Sequence, residues 1–129
     1  MDVTARISDH MHANPITITC DETVAAAMSL MNQNGIRHLP VMQDELLVGI
    51  LSEREANLVR FLPEGLSLKI SDVMTPDVYS VGPSEPLRDV VQRMAVEKMG
   101  AVVIQEIDGS VVGIFTAIDA LKILTGFLR

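Results

Sequence analysis

The chain has 129 residues, of which 48% are hydrophobic and 21% charged, a composition typical of a globular domain rather than of a disordered segment. Its 10 basic and 17 acidic residues leave a net charge of −7 without any Lys/Arg-rich run, so we expect no binding to nucleic acid. No window approaches the roughly 18 consecutive apolar residues of a membrane span, and the single cysteine, Cys20, excludes a disulfide framework. Because Arg6 and Asp9 interrupt the region where a signal peptide needs its apolar core, we expect a cytoplasmic protein without membrane contact.

The chain repeats itself at an offset of 63 residues. Ile7-Ser8-Asp9-His10-Met11 returns as Ile70-Ser71-Asp72-Val73-Met74, and with one further residue inserted Val48-Gly49-Ile50 aligns with Val112-Gly113-Ile114. Matches kept in one order along nearly the whole chain indicate two copies of one small unit. We therefore predict one repeat over residues 1–62 and a second over 63–129, joined at a turn formed by Pro63-Glu64-Gly65.

Each copy carries the same succession of predicted elements, β-α-β-β-α. In the first copy, the pattern predicts strands over 16–18, 39–42 and 47–51, a helix with Asp21 as its N-cap, and a second helix from about Glu53. In the second copy, it predicts strands over 78–81, 102–107 and 111–115, a helix with Ser84 as its N-cap, and a second helix from about Ala117.

The first helix of each copy is predicted to be amphipathic and to end at a glycine. In the first copy, Val24, Ala27, Met28 and Met31 share one helix face. Gly35 and Gly100 follow the two helices, where a left-handed C-cap favours glycine. Because one copy of about 60 residues buries too little apolar surface to be stable alone, we expect the copies to pack on each other in a mixed α/β (α+β) fold.

A hydroxyl and a carboxylate recur three residues apart at the end of the third strand of each copy. The first copy has Ser52 and Glu55 there, and the second has Thr116 and Asp119. This is the spacing of a capping box, in which the two side chains satisfy the first amides of a helix. The same geometry also suits a ligand, because the first turn of a helix holds phosphate and an acidic side chain accepts ribose hydroxyls. The spacing alone leaves both interpretations open.

Taken together, these motifs resemble a tandem pair of cystathionine β-synthase (CBS) domains, also called a Bateman module. The resemblance rests on the Gly-h-h-Thr-x-x-Asp ending (h, apolar) at 113–119 and its variant at 49–55, on Ile36-Arg37-His38-Leu39-Pro40-Val41, and on the opening segments 8–11 and 71–75. It extends over residues 5–125 and implies two β-α-β-β-α repeats packed about a pseudo-twofold axis, with two clefts that bind adenosyl compounds. Such modules act as energy or metabolite sensors for an attached or partner protein.

The resemblance implies that one cleft takes residues from both repeats. These are Thr116, Asp119, Asn14, Ile16, Ile36, Arg37, His38 and Pro40. In this cleft Asp119 would accept the ribose hydroxyls and Thr116 would contact the phosphate. The two basic side chains would lie near the phosphates, and the two isoleucines would flank the adenine.

A second cleft is implied at the remaining hydroxyl–carboxylate pair. It would comprise Ser52, Glu55, Val78, Tyr79 and Ala101. We expect this cleft to bind more weakly, because Glu55 replaces the usual aspartate. The second repeat also offers no cation and no proline where the first repeat has both.

The function implied by the resemblance is a non-catalytic regulatory module that binds AMP, ADP or ATP as an effector and signals to an unknown target protein. An S-adenosylmethionine sensor and a ligand-independent dimerisation or docking module are the alternatives. An enzyme is not expected, because the sequence offers no nucleophile–base set and no catalytic cofactor. His10 and His12 have the spacing to share a metal on an extended segment, but we expect them to be solvent-exposed and predict no metal site. Since the mean hydropathy of +0.31 is high, we expect apolar surface to remain for a homodimer or a partner.

Overall fold

The computed structural model describes residues 4–128 and contains two compact units. Unit 1 combines the described residues up to Pro15 with those from Tyr79 onward, and unit 2 comprises Ile16–Val78. The boundaries between the units, after Pro15 and after Val78, therefore differ from the boundary between the predicted repeats 1–62 and 63–129. The opening segment of each repeat lies in the same unit as the helices and central strands of the other repeat.

Backbone hydrogen bonds attach each opening segment to the other repeat. In unit 1, the Ile7 amide donates to the Glu85 carbonyl over 2.8 Å. In unit 2, the Ile70 amide donates to the Glu22 carbonyl over 2.9 Å. Ile7 and Ile70 occupy equivalent positions of the sequence repeat, and so do Glu22 and Glu85. The repeats thus exchange their opening segments symmetrically, which local sequence patterns do not reveal.

The helices and strands follow the predicted order in both repeats, with one additional two-residue strand at the beginning. In chain order they are β1 (His12–Ala13), β2 (Ile18–Thr19), α1 (Val24–Asn34), β3 (His38–Gln43), β4 (Leu46–Ser52), α2 (Glu53–Val59), β5 (Ser80–Val81), α3 (Leu87–Glu97), β6 (Ala101–Gln105), β7 (Val111–Thr116) and α4 (Ala117–Thr125). The mixed α/β fold class is confirmed. The first strand of each repeat is shorter than predicted, and the strand predicted over 102–107 ends at Gln105.

Each unit is built on one sheet. In unit 2 the strand order is β2-β3-β4, with β2 parallel and β4 antiparallel to β3. In unit 1 the order is β1-β7-β6-β5, with β5 parallel to β6 and the other neighbours antiparallel. The additional strand β1 therefore extends the sheet of unit 1 at the edge next to β7.

The two cores are aliphatic, as the composition indicates. In unit 2, Val24, Ala27 and Met31 of α1 pack with buried residues of β3 and β4, so the predicted helix face is confirmed. In unit 1, Val90 and Met94 of α3 pack with buried residues of β6 and β7. Each core thus fixes the end of the strand that carries the hydroxyl–carboxylate motif.

The two predicted N-caps of the first helices are wrong. Thr23, not Asp21, caps α1, and its hydroxyl accepts a hydrogen bond from the Ala26 amide. Pro86, not Ser84, stands at the N-cap position of α3. In each repeat the helix begins two residues later than predicted, and the residue at its N-cap position forms a bridge with the opening segment of the other repeat.

Glycine and positive backbone angles close the helices and turns. Gly35 ends α1 in the left-handed conformation, with φ 62°, as predicted. Gly100 is not the C-cap of α3, because Lys98, with φ 57°, ends this helix instead. The predicted turn at Gly65 is confirmed, and no other residue fits there, because a Cβ would lie 1.7 Å from the Val59 carbonyl oxygen.

Several large apolar side chains remain exposed in both units. In unit 1 they include Ile118, Leu121 and Leu124, which recur every three residues along α4, and Phe127 just after it. Among residues 4–128, no helix combines the length and the hydropathy needed to cross a membrane. The outer face of α4 is therefore an apolar surface that no described residue of the chain covers fully.

Candidate functional site

Ser52 and Glu55 form a complete capping box at the start of α2. The Glu55 amide donates to Ser52 Oγ over 3.1 Å, and Glu55 Oε1 accepts from the Ser52 amide over 2.8 Å. The motif is therefore a helix cap, as the first of the two interpretations predicts. A cap can also contact a ligand, so the second interpretation depends on whether the carboxylate has an oxygen that the cap does not use.

Thr116 and Asp119 form the same box at the start of α4. Asp119 Oδ2 accepts from the Thr116 amide over 2.8 Å and from the Thr116 hydroxyl over 2.9 Å. The Asp119 amide donates to Thr116 Oγ1 over 3.3 Å. One carboxylate oxygen of Asp119 is thus used for capping, and the other, Oδ1, points away from the cap.

A side chain from the opening segment of the other repeat contacts the second carboxylate oxygen of each box. In unit 1, His12 Nε2 lies 2.8 Å from Asp119 Oδ1. In unit 2, the Thr75 hydroxyl donates to Glu55 Oε2. His12 and Thr75 occupy equivalent positions of the sequence repeat. Each box is therefore completed by the exchanged segment.

Asp119 is a buried carboxylate that stays charged. The residue is 8% exposed, and it is the one charged residue counted as buried among residues 4–128. Burial by itself raises the pKa of Asp119, but the hydrogen bonds from Thr116 and His12 outweigh burial and hold that pKa below its usual value. A buried, ionised carboxylate with a perturbed pKa is a candidate ligand-binding group.

The first helical turns offer fewer amides for phosphate than the sequence suggests. The Ala117 amide donates to the Gly100 carbonyl over 2.9 Å, and the Glu53 amide donates to the Arg37 carbonyl over 2.8 Å. The third amide of each helix donates to the capping hydroxyl. In each helix two of the first three N–H groups are therefore already bonded within the protein. Cationic side chains become the better candidates for binding an anion.

Two of the predicted cations lie together in unit 2. Arg37 and His38 line a cavity of about 460 Å³ together with Ser52, Glu53 and Arg54. His38 faces Ser52 across β3 and β4, so a residue predicted for the first cleft is the cross-strand neighbour of one predicted for the second. The cavity thus joins basic side chains to the hydroxyl of the first capping box, with one carboxylate beside them.

The other predicted residues of unit 2 contribute to its interior. Ile16 and Ile36 pack against the core of unit 2, and Pro40 is buried opposite Ile50. Val78, the last residue of this unit, is half-buried. Their assignment to ligand clefts stays a prediction.

Asn14, Tyr79 and Ala101 lie in unit 1. Asn14 has a positive φ of 52°, and its amide donates to the Val112 carbonyl over 3.0 Å at the end of β1. Ala101 lies opposite Thr116 in the β6–β7 pair. The Arg93 guanidinium stacks 4.3 Å from the centroid of the Tyr79 ring. Burial raises the pKa of the Tyr79 phenol, and Arg93 opposes this effect.

Sequence reasoning missed His12 and Thr75 as partners of the two carboxylates. The sequence predicts that His12 is solvent-exposed rather than a metal ligand. Its side chain is 65% exposed, and it also contacts Asp119. No group of three or more metal-ligating side chains occurs within the described part of the chain. The repeated opening segment ends at Met11 in the first copy and at Met74 in the second. Extending it by one residue pairs His12 with Thr75, and this pairing is the signal in the sequence that relates the two partners.

Comparison with protein families finds the CBS domain twice, at residues 7–56 and at 70–126. The inosine-5′-monophosphate dehydrogenase of Korarchaeum cryptofilum is 35% identical over 107 residues, which are 81% of this chain and 21% of that enzyme. This chain therefore spans about a fifth of the length of that relative. The match shows a shared domain and does not extend to the rest of the dehydrogenase.

Solved structures show the same fold over nearly the whole chain. The CBS domain pair of protein MJ0100, in complex with 5′-methylthioadenosine and S-adenosyl-L-methionine, has a TM-score of 0.87 at 23% identity and covers 95% of this chain and 98% of its own. CBSX2 in complex with AMP has a TM-score of 0.81 at 22% identity and covers 96% and 98%. Two family matches in succession, each with the predicted element order, show that the chain belongs to the CBS domain family and is a tandem CBS pair.

Proposed function

We propose that this CBS pair is a non-catalytic regulatory module that binds an adenine nucleotide (AMP, ADP or ATP), with Asp119 on the ribose. One observation carries the proposal. Asp119 is a buried carboxylate that is kept ionised at the start of α4, next to the hydroxyl of Thr116. A charged group is costly to bury, and such groups cluster at functional sites.

The chemistry of Asp119 suits a ribose better than it suits a phosphate. A carboxylate accepts hydrogen bonds from the two adjacent hydroxyls of a ribose, and such charge-assisted bonds are the stronger kind. The negative charge would repel a phosphate held at the same place. The anionic part of the nucleotide therefore needs cations, and Arg37 and His38 are the basic residues that the family resemblance predicts for it.

Adenosyl compounds are the ligand class that the relatives support. One similar structure is a complex with AMP, and another is a complex with S-adenosyl-L-methionine and 5′-methylthioadenosine. All three compounds share the adenosine moiety and differ in charge. We favour a nucleotide because the family resemblance predicts the basic Arg37 and His38 near the ligand, and a cationic sulfonium gains nothing from them.

The regulatory part of the proposal follows from linkage. A ligand that binds one conformation of the CBS pair more tightly shifts the population toward that conformation. The shift then changes how the pair contacts a target protein or domain. No chemistry on the nucleotide is required, so the bound ligand is expected to be released unchanged.

Thermal unfolding of nucleotide-free protein with AMP, ADP, ATP, S-adenosylmethionine and NAD tests this function. A ligand present at about 100 times its Kd adds about 2.7 kcal/mol to the native state, which raises the Tm of a chain of this size by several degrees. We expect such a shift with at least one adenine nucleotide, and none with adenine or with ribose 5-phosphate at the same concentration. A shift with S-adenosylmethionine alone would favour that sensor instead, and no shift with any ligand would favour the docking module.

We also propose that the exposed face of α4 mediates a homodimer. Ile118, Leu121 and Leu124 are 49%, 55% and 43% exposed, which is unusual for three leucine-type side chains on one helix. Light scattering after size exclusion should give twice the chain mass of 14.1 kDa, and Leu121→Glu should reduce it to one chain. Leu46→Glu, at a residue 66% exposed on β4, is the matched control and should leave the dimer intact. A dimer that survives Leu121→Glu would place the interface elsewhere.

A further inference from the structure

The Asp119 carboxylate has almost no acceptor capacity left. A carboxylate offers about four lone-pair positions. Oδ2 accepts from the amide and from the hydroxyl of Thr116, and Oδ1 lies 2.8 Å from His12 Nε2. One position remains, whereas the two hydroxyls of a ribose present two donors. A ribose can engage both through Asp119 only if one of the existing partners leaves.

Of these partners, His12 is the one that can leave. The hydrogen bonds from Thr116 belong to the capping box, and breaking them would destabilise the first turn of α4. The His12 side chain is 65% exposed and projects from the two-residue strand β1 at the sheet edge. A change of its side-chain rotamer would free Oδ1 without moving a helix.

We propose that His12 is an internal competitor of the ligand, so that ribose binding to Asp119 displaces His12 and is weaker than it would be without this side chain. The proposal rests on the function proposed above, because it concerns the same carboxylate. It adds a residue that sets the affinity.

Unit 2 provides an internal comparison. The Thr75 hydroxyl donates to Glu55 Oε2 as His12 contacts Asp119, and it fills the equivalent acceptor position. In both boxes the exchanged segment therefore occupies an acceptor position of the carboxylate.

Calorimetric titration with adenosine at one neutral pH tests the proposal. Adenosine carries the ribose but no phosphate, so its binding reports on the contact with Asp119. We expect His12→Ala to bind adenosine about fivefold more tightly than the wild type, because the ligand no longer has to break a hydrogen bond. His12→Gln keeps a donor at the same reach, so it should retain the weaker wild-type affinity.

The outcomes separate this inference from the function on which it rests. His10→Ala removes a neighbouring imidazole and should leave the wild-type affinity unchanged. Equal or weaker binding by His12→Ala would overturn the competitor role and leave the proposed function standing. Tighter binding by His12→Ala would support both. No binding of adenosine by any of the variants would overturn the competitor role, and it would overturn the proposed function as well if no adenine nucleotide raises the Tm.

Discussion

Replacing Asp119 by alanine is expected to lower the affinity for the adenine nucleotide at least about 100-fold, because two charge-assisted hydrogen bonds to the ribose are lost. Asp119 is the one charged residue that is buried among residues 4–128, and its carboxylate is ionised. Binding should be measured by calorimetry at room temperature rather than by thermal shift. Asp119→Ala also removes the capping acceptor of Thr116, and the resulting loss of about 1 kcal/mol would lower the Tm without any ligand.

Two variants separate the ribose contact from the cap. Asp119→Asn keeps the volume and one oxygen for the Thr116 amide, but it lacks the charge that strengthens the bonds to ribose. Glu55→Ala removes the equivalent carboxylate of unit 2 and imposes a similar capping defect on α2. We expect Asp119→Asn to bind nearly as poorly as Asp119→Ala, and Glu55→Ala to retain the main site. Loss of binding in Glu55→Ala alone would move the site to unit 2.

The fold was predictable as far as local patterns and the repeat determine it. Apolar spacing identified the helices, and the hydroxyl–carboxylate motif located the starts of α2 and α4 to the residue. The predicted caps Asp21 and Ser84 failed for a non-local reason. Both are good N-caps in isolation, but the chain beyond them pairs with the exchanged opening segments before the helices begin. Local preference was overridden by pairing with residues distant in the sequence.

The candidate site was predictable in its carboxylates and not in their partners. Each carboxylate follows its hydroxyl by three residues, Glu55 after Ser52 and Asp119 after Thr116, so one turn of helix relates the members of each pair. His12 is 107 residues from Asp119, and no periodicity links them. Only the exchange of opening segments brings such residues together. For the same reason the two-residue strand β1 was not predicted, since its single partner β7 begins almost a hundred residues later.

Phe115→Ala is expected to cost about 3 to 5 kcal/mol of the free energy of unfolding. Phe115 is fully buried and is the largest fully buried side chain among residues 4–128. Its neighbours in the core of unit 1 include Ile7, Val90 and Val102, which are branched and cannot extend into the space left behind. Because the total stability of a domain is about 5 to 15 kcal/mol, the variant should unfold at a temperature lower by roughly 10 °C or more.

Phe61→Ala is the matched control, because the same atoms are removed from a side chain that is 85% exposed. Its stability should change by about 0.5 kcal/mol or less. Equal effects of the two substitutions, measured by urea unfolding, would contradict the core of unit 1 as described. Phe115 also directly precedes Thr116, so the cavity left by Phe115→Ala loosens the strand end that positions the capping box. Nucleotide at a concentration of about 100 times the wild-type Kd adds roughly 2.7 kcal/mol to the free energy of unfolding of the wild type. The same concentration should stabilise Phe115→Ala by less, because binding must also order Asp119.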